Sequence, residues 1–486
     1  MLRRVFPILH VLGLILLVFG ASMLAPLLLS EISLDGAQGA YDEAVLATLG
    51  CGVLLWLAGR RWRRELKARD GILLVVLTWT LLPAFAALPF FIFLPGATML
   101  EAYFEAISGL TATGATVLSG LDRLPHSINL WRAELQWLGG LGVIVLVTAV
   151  LPLLGVGGRQ MFSAETPSPM KDQKLTPRMA ETAKGLWTVY VLLTTACIVT
   201  LWALGMSLFD AVVHGFSVLG LGAFSSHDAS LGYFHSPAIE AAVAGFALLA
   251  GINFTTHFGA LRGRRLGAYL RDPELRWFLS VVLGSALLLT ILLWSRDAFL
   301  DWPSAFRVTF FNTISVATTL GFSTADYGHW PFFAGLWLMF LCSFSTSAGS
   351  TGGGIKMMRA VLLFKQVYRE LKRLIHPNAQ VPLRLGEDAV PNKIVYAVLA
   401  FAFIYVAAII SLSFALSLSG LDVLTAFSAI VACVNNTGPG LGAVGPAHTY
   451  AVLNEFQLSV CAFAMLLGRL ELFTLLVVLT PAFWRK

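Results

Sequence analysis

Four short strings in this chain join a moderately apolar stretch to a turn rich in glycine, threonine, serine or asparagine. The first runs Tyr103-Phe-Glu-Ala-Ile-Ser-Gly-Leu-Thr-Ala-Thr-Gly114-Ala-Thr-Val and the second Ala211-Val-Val-His-Gly-Phe-Ser-Val-Leu-Gly-Leu-Gly222-Ala-Phe-Ser. The third runs Phe310-Phe-Asn-Thr-Ile-Ser-Val-Ala-Thr-Thr-Leu-Gly321-Phe-Ser-Thr and the fourth Phe427-Ser-Ala-Ile-Val-Ala-Cys-Val-Asn-Asn-Thr-Gly438-Pro-Gly-Leu. An aromatic sits eleven positions before the glycine in three of them, and Ser108 and Ser315 each sit six before it. The chemistry open to such strings is done by the backbone. Glycine admits dihedrals that other residues resist, so carbonyls can turn toward a common axis. Rings of carbonyls, helped by threonine hydroxyls, can replace the hydration shell of an alkali cation. A short helix before each turn would aim its negative C-terminal end at the same centre.

The elements that must position these turns are membrane spans. Of 486 residues, 57% are hydrophobic and 12% charged, against roughly a quarter charged in soluble domains. Apolar stretches long enough to cross a bilayer core of about 30 Å fall near 8–29, 43–59, 71–95, 129–155, 184–207, 236–260, 275–295, 331–344 (interrupted, resuming after Gly354), 391–418 and 455–483. Arg3 and Arg4 precede the apolar run Ile8–Ser30, which lacks a convincing cleavage site and reads as a retained first span.

Basic residues mark cytoplasmic connections. Arg60, Arg61, Arg63, Arg64, Lys67 and Arg69 follow the second span; Arg159, Lys171, Lys174, Arg178 and Lys184 follow the fourth. Arg262, Arg264, Arg265, Arg271 and Arg276 follow the sixth, and Lys356 to Arg373 carry more. Ten crossings with both termini inside sort them: only Arg123, Arg132, Arg296 and Arg307 fall outside, and Arg469 within a span. The four turns then all lie in outside connections, recurring at intervals of roughly 100 residues, the layout of diverged internal repeats. Extended backbone at membrane depth is tolerated only where it is buried in protein or lines a polar cavity, so four such segments suggest a pore.

Two further features stand out. Residues 343–354 read Ser-Phe-Ser-Thr-Ser-Ala-Gly-Ser-Thr-Gly-Gly-Gly and interrupt a span; each glycine costs a helix about 1 kcal/mol relative to alanine. This is either a flexible loop beneath the turns or a broken helix without a gating role. A phosphate-binding loop fails on spacing, because Ile355 separates Gly354 from Lys356. Arg469 interrupts the apolar run Ala462–Pro481, where a central arginine costs about 2.5–3.5 kcal/mol. It should face water or a partner, as an electrostatic barrier, a tether for the 343–354 loop, or one half of an ion pair with another span. Glu471, two positions on, points to a different face. Glu101, Glu105, Asp210 and Asp228 lie near the outside turns, either raising local cation concentration or simply solvated. His214 and His227 flank the second turn in packing or surface roles. Cys51, Cys197, Cys342, Cys433 and Cys461 are isolated and read as small buried hydrophobes.

On these strings the chain resembles the Trk/Ktr/HKT potassium transporters, of the bacterial TrkH type, over nearly its whole length. Thr111-Ala-Thr-Gly-Ala-Thr-Val, Phe224-Ser-Ser-His-Asp-Ala-Ser, Thr318-Thr-Leu-Gly-Phe-Ser-Thr-Ala-Asp-Tyr and Asn435-Asn-Thr-Gly-Pro-Gly-Leu-Gly-Ala-Val-Gly-Pro-Ala carry the likeness, with Gly349-Ser-Thr-Gly-Gly-Gly-Ile-Lys and Gly468-Arg-Leu-Glu-Leu-Phe-Thr-Leu-Leu. The resemblance implies an all-α polytopic membrane protein, with four pseudo-symmetric M1–P–M2 repeats around one pore and two extra N-terminal helices. The expected boundaries are 1–69 for those two helices, then 70–182, 183–273, 274–388 and 389–486 for the repeats.

It implies a potassium-binding filter of Ala112, Thr113 and Gly114; Gly220, Leu221 and Gly222; Thr319, Leu320 and Gly321; and Asn436, Thr437 and Gly438. Leu221 stands where similar proteins often have threonine, which removes one side-chain oxygen. It implies a gate of Gly349, Ser350, Thr351, Gly352, Gly353 and Gly354 with Arg469. A homodimer in a bacterial inner membrane is implied, with a cytoplasmic TrkA-type partner that binds NAD or ATP and regulates opening. Potassium is the expected ion; no organic cofactor and no nucleic acid are expected. The alternative within transport is a sodium-conducting or sodium/proton-coupled relative. A membrane enzyme would need a nucleophile–base or metal constellation, and no HExxH, GxSxG or paired intramembrane acids occur. A sensor would need no continuous pore.

Overall fold

The computed structural model describes residues 2–62, 66–153, 179–263, 267–385 and 388–485. The basic residues expected inside at Arg63, Arg64, Arg159, Lys171, Lys174, Arg178, Arg264 and Arg265 lie outside the described residues.

The chain opens with the broken helix Leu2–Ser22 and Leu24–Ser33, which packs along Gln38–Gly59. Small residues let the two backbones touch: a methyl on Gly59 would lie 2.5 Å from the Phe6 carbonyl oxygen. One sequence of elements then occurs four times. Ala68–Ala86, Met179–Ala203, Pro273–Ser295 and Asn392–Leu418 are each followed by a shorter helix. The shorter helices are Met99–Leu110, Leu208–Gly220, Trp302–Ala317 and Val423–Val434. After an irregular return come His126–Leu153, Pro237–Gly251, Phe332–Cys342 and Glu455–Arg469.

The short helices start where the sequence supplies a side chain to accept a free N–H. Thr98 accepts from Glu101 at 3.2 Å, Ser207 from Asp210 at 3.0 Å, Asp301 from Ser304 at 2.8 Å and Asp422 from Thr425 at 3.0 Å. Glu101, expected near an entrance, returns the bond to the Thr98 N–H at 2.8 Å and so serves a capping box.

Among the described residues, six helices are long and apolar enough to cross a membrane, or up to eight if two bent pairs each count as one span. The two other expected crossings coincide with His126–Leu153 and the interrupted Phe332–Cys342. The stretches 236–260 and 455–483, expected as straight spans, are bent. Pro237–Gly251 meets Phe254–Gly263 at 94°, and Glu455–Arg469 meets Phe473–Leu479 at 115°. A helix break frees backbone groups that must find partners. At the first break Gly251 accepts from the Ser347 N–H at 3.0 Å and the Phe254 N–H donates to Gly349 at 3.1 Å. At the second, Glu471 and Leu472 adopt φ of 52° and 51°, and Glu471 pairs with Arg359 at 2.5 Å. Arg469 therefore ends a helix at a bend rather than sitting inside a continuous one. A two-residue antiparallel ladder, Arg384 opposite Ala389 and Leu385 opposite Asp388, is the departure from an all-α fold.

Glu105 is neither solvated nor at an entrance surface. Burying it unpaired would be costly, and Arg132 answers it at 2.8 Å with both side chains about 1% exposed. Glu105 also accepts from the Thr116 hydroxyl and the Val117 N–H, while Arg132 donates to the Ser225 carbonyl at 3.0 Å and lies over the Phe224 ring. The pair ties the first short helix to its returning helix and to the segment after the second turn. Arg132→Met should lower stability by about 3–5 kcal/mol, because it strands a buried carboxylate. The double variant Glu105→Leu/Arg132→Leu should lose less. Thermal unfolding in detergent measures both, and a double variant weaker than the single would overturn this account.

Candidate functional site

Each short helix ends in one geometry. Thr111, Thr318 and Asn435 hold right-handed dihedrals at the cap. The residue after them turns left-handed: Ala112 at φ 53°, Thr319 at 63° and Asn436 at 52°, with Leu221 at 54° ending the second helix. The next N–H then reaches back five residues: Thr113 to Ser108 at 2.8 Å, Gly222 to Ser217 at 2.9 Å, Leu320 to Ser315 at 2.9 Å and Thr437 to Ala432 at 2.9 Å. This is a Schellman closure. A left-handed residue other than glycine costs about 1–2 kcal/mol, and the carbonyls it satisfies offset that cost.

The shared bonds fix a common register. Gly114, Gly321 and Gly438 follow the back-bonded residue, with φ of 82°, 81° and 94°. In the second turn that position belongs to Ala223, one residue beyond the Gly222 expected from sequence. Gly222 matches Thr113, Leu320 and Thr437, and Gly220 still belongs to the helix. A side-chain bond agrees: Ser217 donates to the Phe224 carbonyl at 2.7 Å, as Ser315 does to Phe322 at 2.6 Å.

The turns meet. A methyl placed on Gly321 would lie 2.0 Å from the Thr437 carbonyl oxygen, and one on Gly438 would lie 2.7 Å from that of Thr113. Asn436 donates to the Thr113 hydroxyl at 3.0 Å and to the Met465 carbonyl at 3.1 Å, joining the first and fourth turns. Tyr450 donates to the Gly438 carbonyl at 2.9 Å. The second turn joins them in one cluster through Ala223, whose nitrogen would lie 2.3 Å from a methyl on Gly114, whereas Gly220 and Gly222 pack against Gln136.

Residues 343–354 lie against this cluster. Thr351 donates to the Leu219 carbonyl at 3.0 Å, and the Gly353 N–H donates to the Thr319 hydroxyl at 3.1 Å. Gly353 fits there only without a side chain, since a methyl would lie 1.9 Å from the Asn435 carbonyl oxygen. Gly349 and Gly354 have φ of 76° and 81°; Ser350 closes onto the Ser347 carbonyl at 2.7 Å. Arg469 finds backbone partners here, donating to Thr351 at 2.9 Å and to Gly139 at 2.7 Å, with its guanidinium beside the Trp79 ring.

Residues not singled out from sequence complete the hold. Glu274 accepts from the Ala348 N–H at 2.8 Å and the Met358 N–H at 3.0 Å, tying the middle of the loop to the start of the helix Met357–Ile375. The Lys356 ammonium donates to the Gly352 carbonyl, and Asn253 lies against Gly349. Gln136 accepts from the Phe224 N–H at 3.2 Å. Glu274 carried a visible signal, standing with Asp272 between Arg271 and Arg276 in a basic segment; the others became meaningful only once the fold was known.

Beside the second turn His227 joins two connections, 2.5 Å from Asp122 and 3.2 Å from Asp210, and stacks on Tyr233 at 3.5 Å. His214 is buried between the Asp210 carbonyl and the Ser225 hydroxyl. Asp228, exposed, accepts from the Leu121 N–H at 3.2 Å.

A chain of this many apolar helices, bent and broken around a buried polar cluster, is a multi-pass helical membrane protein. It belongs to the TrkH family, described as cation transport protein, whose family model matches residues 42–486. The Trk system potassium uptake protein TrkH of Salmonella typhimurium is 47% identical over 98% of this chain and 99% of its own length. The TrkG protein of Escherichia coli, also named for Trk potassium uptake, is 36% identical over 98% of each chain. The crystal structure of the potassium transporter TrkH from Vibrio parahaemolyticus superposes with a TM-score of 0.90 at 42% identity, covering 100% of both chains. Members of this family are transporters, not enzymes.

Burial opposes charge on the His227 ring, but its bonds to Asp210 and Asp122 outweigh this and hold it above its ordinary value of 6.5. A group raised by folding stabilises fully below its unfolded pKa and less as pH rises through the folded one. Thermal stability should therefore fall as pH rises above about 6.5, and His227→Gln should flatten that part of the profile. An unchanged slope in the variant would remove His227 as its source.

Proposed function

We propose that this chain takes up potassium as the membrane subunit of a Trk-type system. The observation that carries the proposal is the meeting of four identically closed helix ends at Gly114, Gly321, Gly438 and the second turn. Full-length likeness to proteins named for potassium uptake supports the ion, and favours it over a sodium-conducting or sodium/proton-coupled alternative.

In this reading residues 1–69 are two accessory helices, and 70–182, 183–273, 274–388 and 389–486 are four M1–P–M2 units around one pore. The filter takes in Ala112 to Gly114, Thr319 to Gly321 and Asn436 to Gly438, and in the second turn Leu221 to Ala223, one residue on from the expected Gly220 to Gly222. Carbonyls there take over part of the hydration shell, while helix C-termini favour positive charge. A membrane potential contributes about 2.3 kcal/mol per charge per 100 mV. Residues 343–354 act as the gate: Gly352 and Gly353 lie directly beneath the turns, so an ion leaving the filter meets backbone. Opening requires Arg469 and Lys356 to release the loop carbonyls. The protein works as a homodimer in a bacterial inner membrane, both termini cytoplasmic, opened by a TrkA-type nucleotide-binding partner.

Potassium and sodium fluxes into liposomes holding the purified chain, with and without that partner, test the proposal. Potassium flux exceeding sodium flux supports it, equal fluxes favour the alternative, and none with the partner present rejects it. Gly438→Ser should lower the potassium-to-sodium ratio by distorting the ring, and an unchanged ratio would remove Gly438 from the filter. Shortening 346–353 should raise flux in the absence of the partner; equal or lower flux at normal expression would reject the gate.

A further inference from the structure

The second turn does not complete a ring of four glycines. Its Schellman bond and the Ser217–Phe224 contact put Ala223 where the other turns have Gly114, Gly321 and Gly438. The position differs in two ways. The three glycines have positive φ, which Ala223 lacks, so its peptide planes run differently from theirs. It also carries a methyl. Methyls built on Gly114, Gly321 and Gly438 would lie 2.5, 2.8 and 3.2 Å from the Ala223 Cβ. Three turns thus point toward one side-chain carbon, which sits at the centre of the cluster. Ala223 is half-buried while the three glycines are buried.

We propose that Ala223 is a specificity-determining residue of this transporter, its methyl narrowing the ion path at the level of the three glycines. The inference rests on the filter reading above. A cation stripped of water at this level meets oxygen on three sides and hydrocarbon on the fourth. Potassium, the larger ion, depends on several weak carbonyl ligands at once, so the missing corner costs it more than it costs a sodium ion that keeps some of its water. The chain should therefore conduct potassium more slowly, and prefer it over sodium by a smaller margin, than it would with glycine at this position. Ala223, rather than Leu221, would be the cause, because the Leu221 backbone repeats that of Ala112, Thr319 and Asn436.

The test is potassium and sodium flux into liposomes, with the regulatory partner present, for wild type, Ala223→Gly, Ala223→Val and Gly438→Ser. Ala223→Gly should raise potassium flux and the potassium-to-sodium ratio on the order of tenfold, the gain that about 1.4 kcal/mol of barrier gives. Ala223→Val should lower flux at unchanged thermal stability, which separates a blocked path from a misfolded chain. If Gly438→Ser alters the ratio and Ala223→Gly leaves both quantities unchanged, the inference falls and the filter stands. If neither variant changes the ratio, both fall. A Gly222→Ala effect on selectivity with none at Ala223 would return the corner to Gly222 and overturn the proposal.

Discussion

The structure depends on what becomes of the carbonyls at the ends of four short buried helices. A helix leaves its last carbonyls without intrahelical partners, and burial makes each unmet group expensive. Some are closed by the turn itself, through the N–H groups of Thr113, Gly222, Leu320 and Thr437. The carbonyls that point inward must be met from below. Leu219 receives the Thr351 hydroxyl. Those of Leu110, Val434 and Asn435 are covered by glycine backbone, since methyls on Gly139, Gly468 and Gly353 would lie 1.9 to 2.0 Å from them. The glycine content of the returning helices and of the 343–354 loop follows from this need for close approach.

Much of the fold was legible because the bilayer imposes simple rules. Span length follows from its thickness. The four turns were legible because helix ends of this kind need left-handed residues and capping side chains. What sequence could not supply were the bends after Gly251 and Arg469. No proline marks either; at the first the freed groups are satisfied by the distant Ser347 and Gly349, and at the second the Glu471 side chain pairs with the distant Arg359. Glu105 misled for the same reason, its partner Arg132 being placed by tertiary packing alone.

The second turn was partly legible. Gly220-Leu-Gly222-Ala offers two glycines, and aligning on glycine picks the wrong one. Serine was the better guide: Ser108 and Ser315 stand six before their glycines, and six beyond Ser217 is Ala223. Hydrogen bonding, not residue type, sets the register of a helix end.

The bends also explain how the loop is held. Two cations, Arg469 and Lys356, donate to the Thr351 and Gly352 carbonyls, and Glu274 accepts from the Ala348 N–H in the loop and the Met358 N–H in the helix after it. Bonds to charged groups contribute about 1.5–3 kcal/mol each, so release of the loop cannot be a matter of glycine flexibility alone. The helix Met357–Ile375 continues directly from the loop and is clamped through Arg359 to Glu471 at the second bend, with the guanidinium over Phe401. Glu471 lies two residues from Arg469. Moving the loop therefore shifts Met357, strains the Arg359–Glu471 pair and disturbs the backbone that aims Arg469. Loop, following helix and arginine are coupled by contact, so a force on the inner helix Met357–Ile375 reaches the underside of the four turns without passing through the turns themselves.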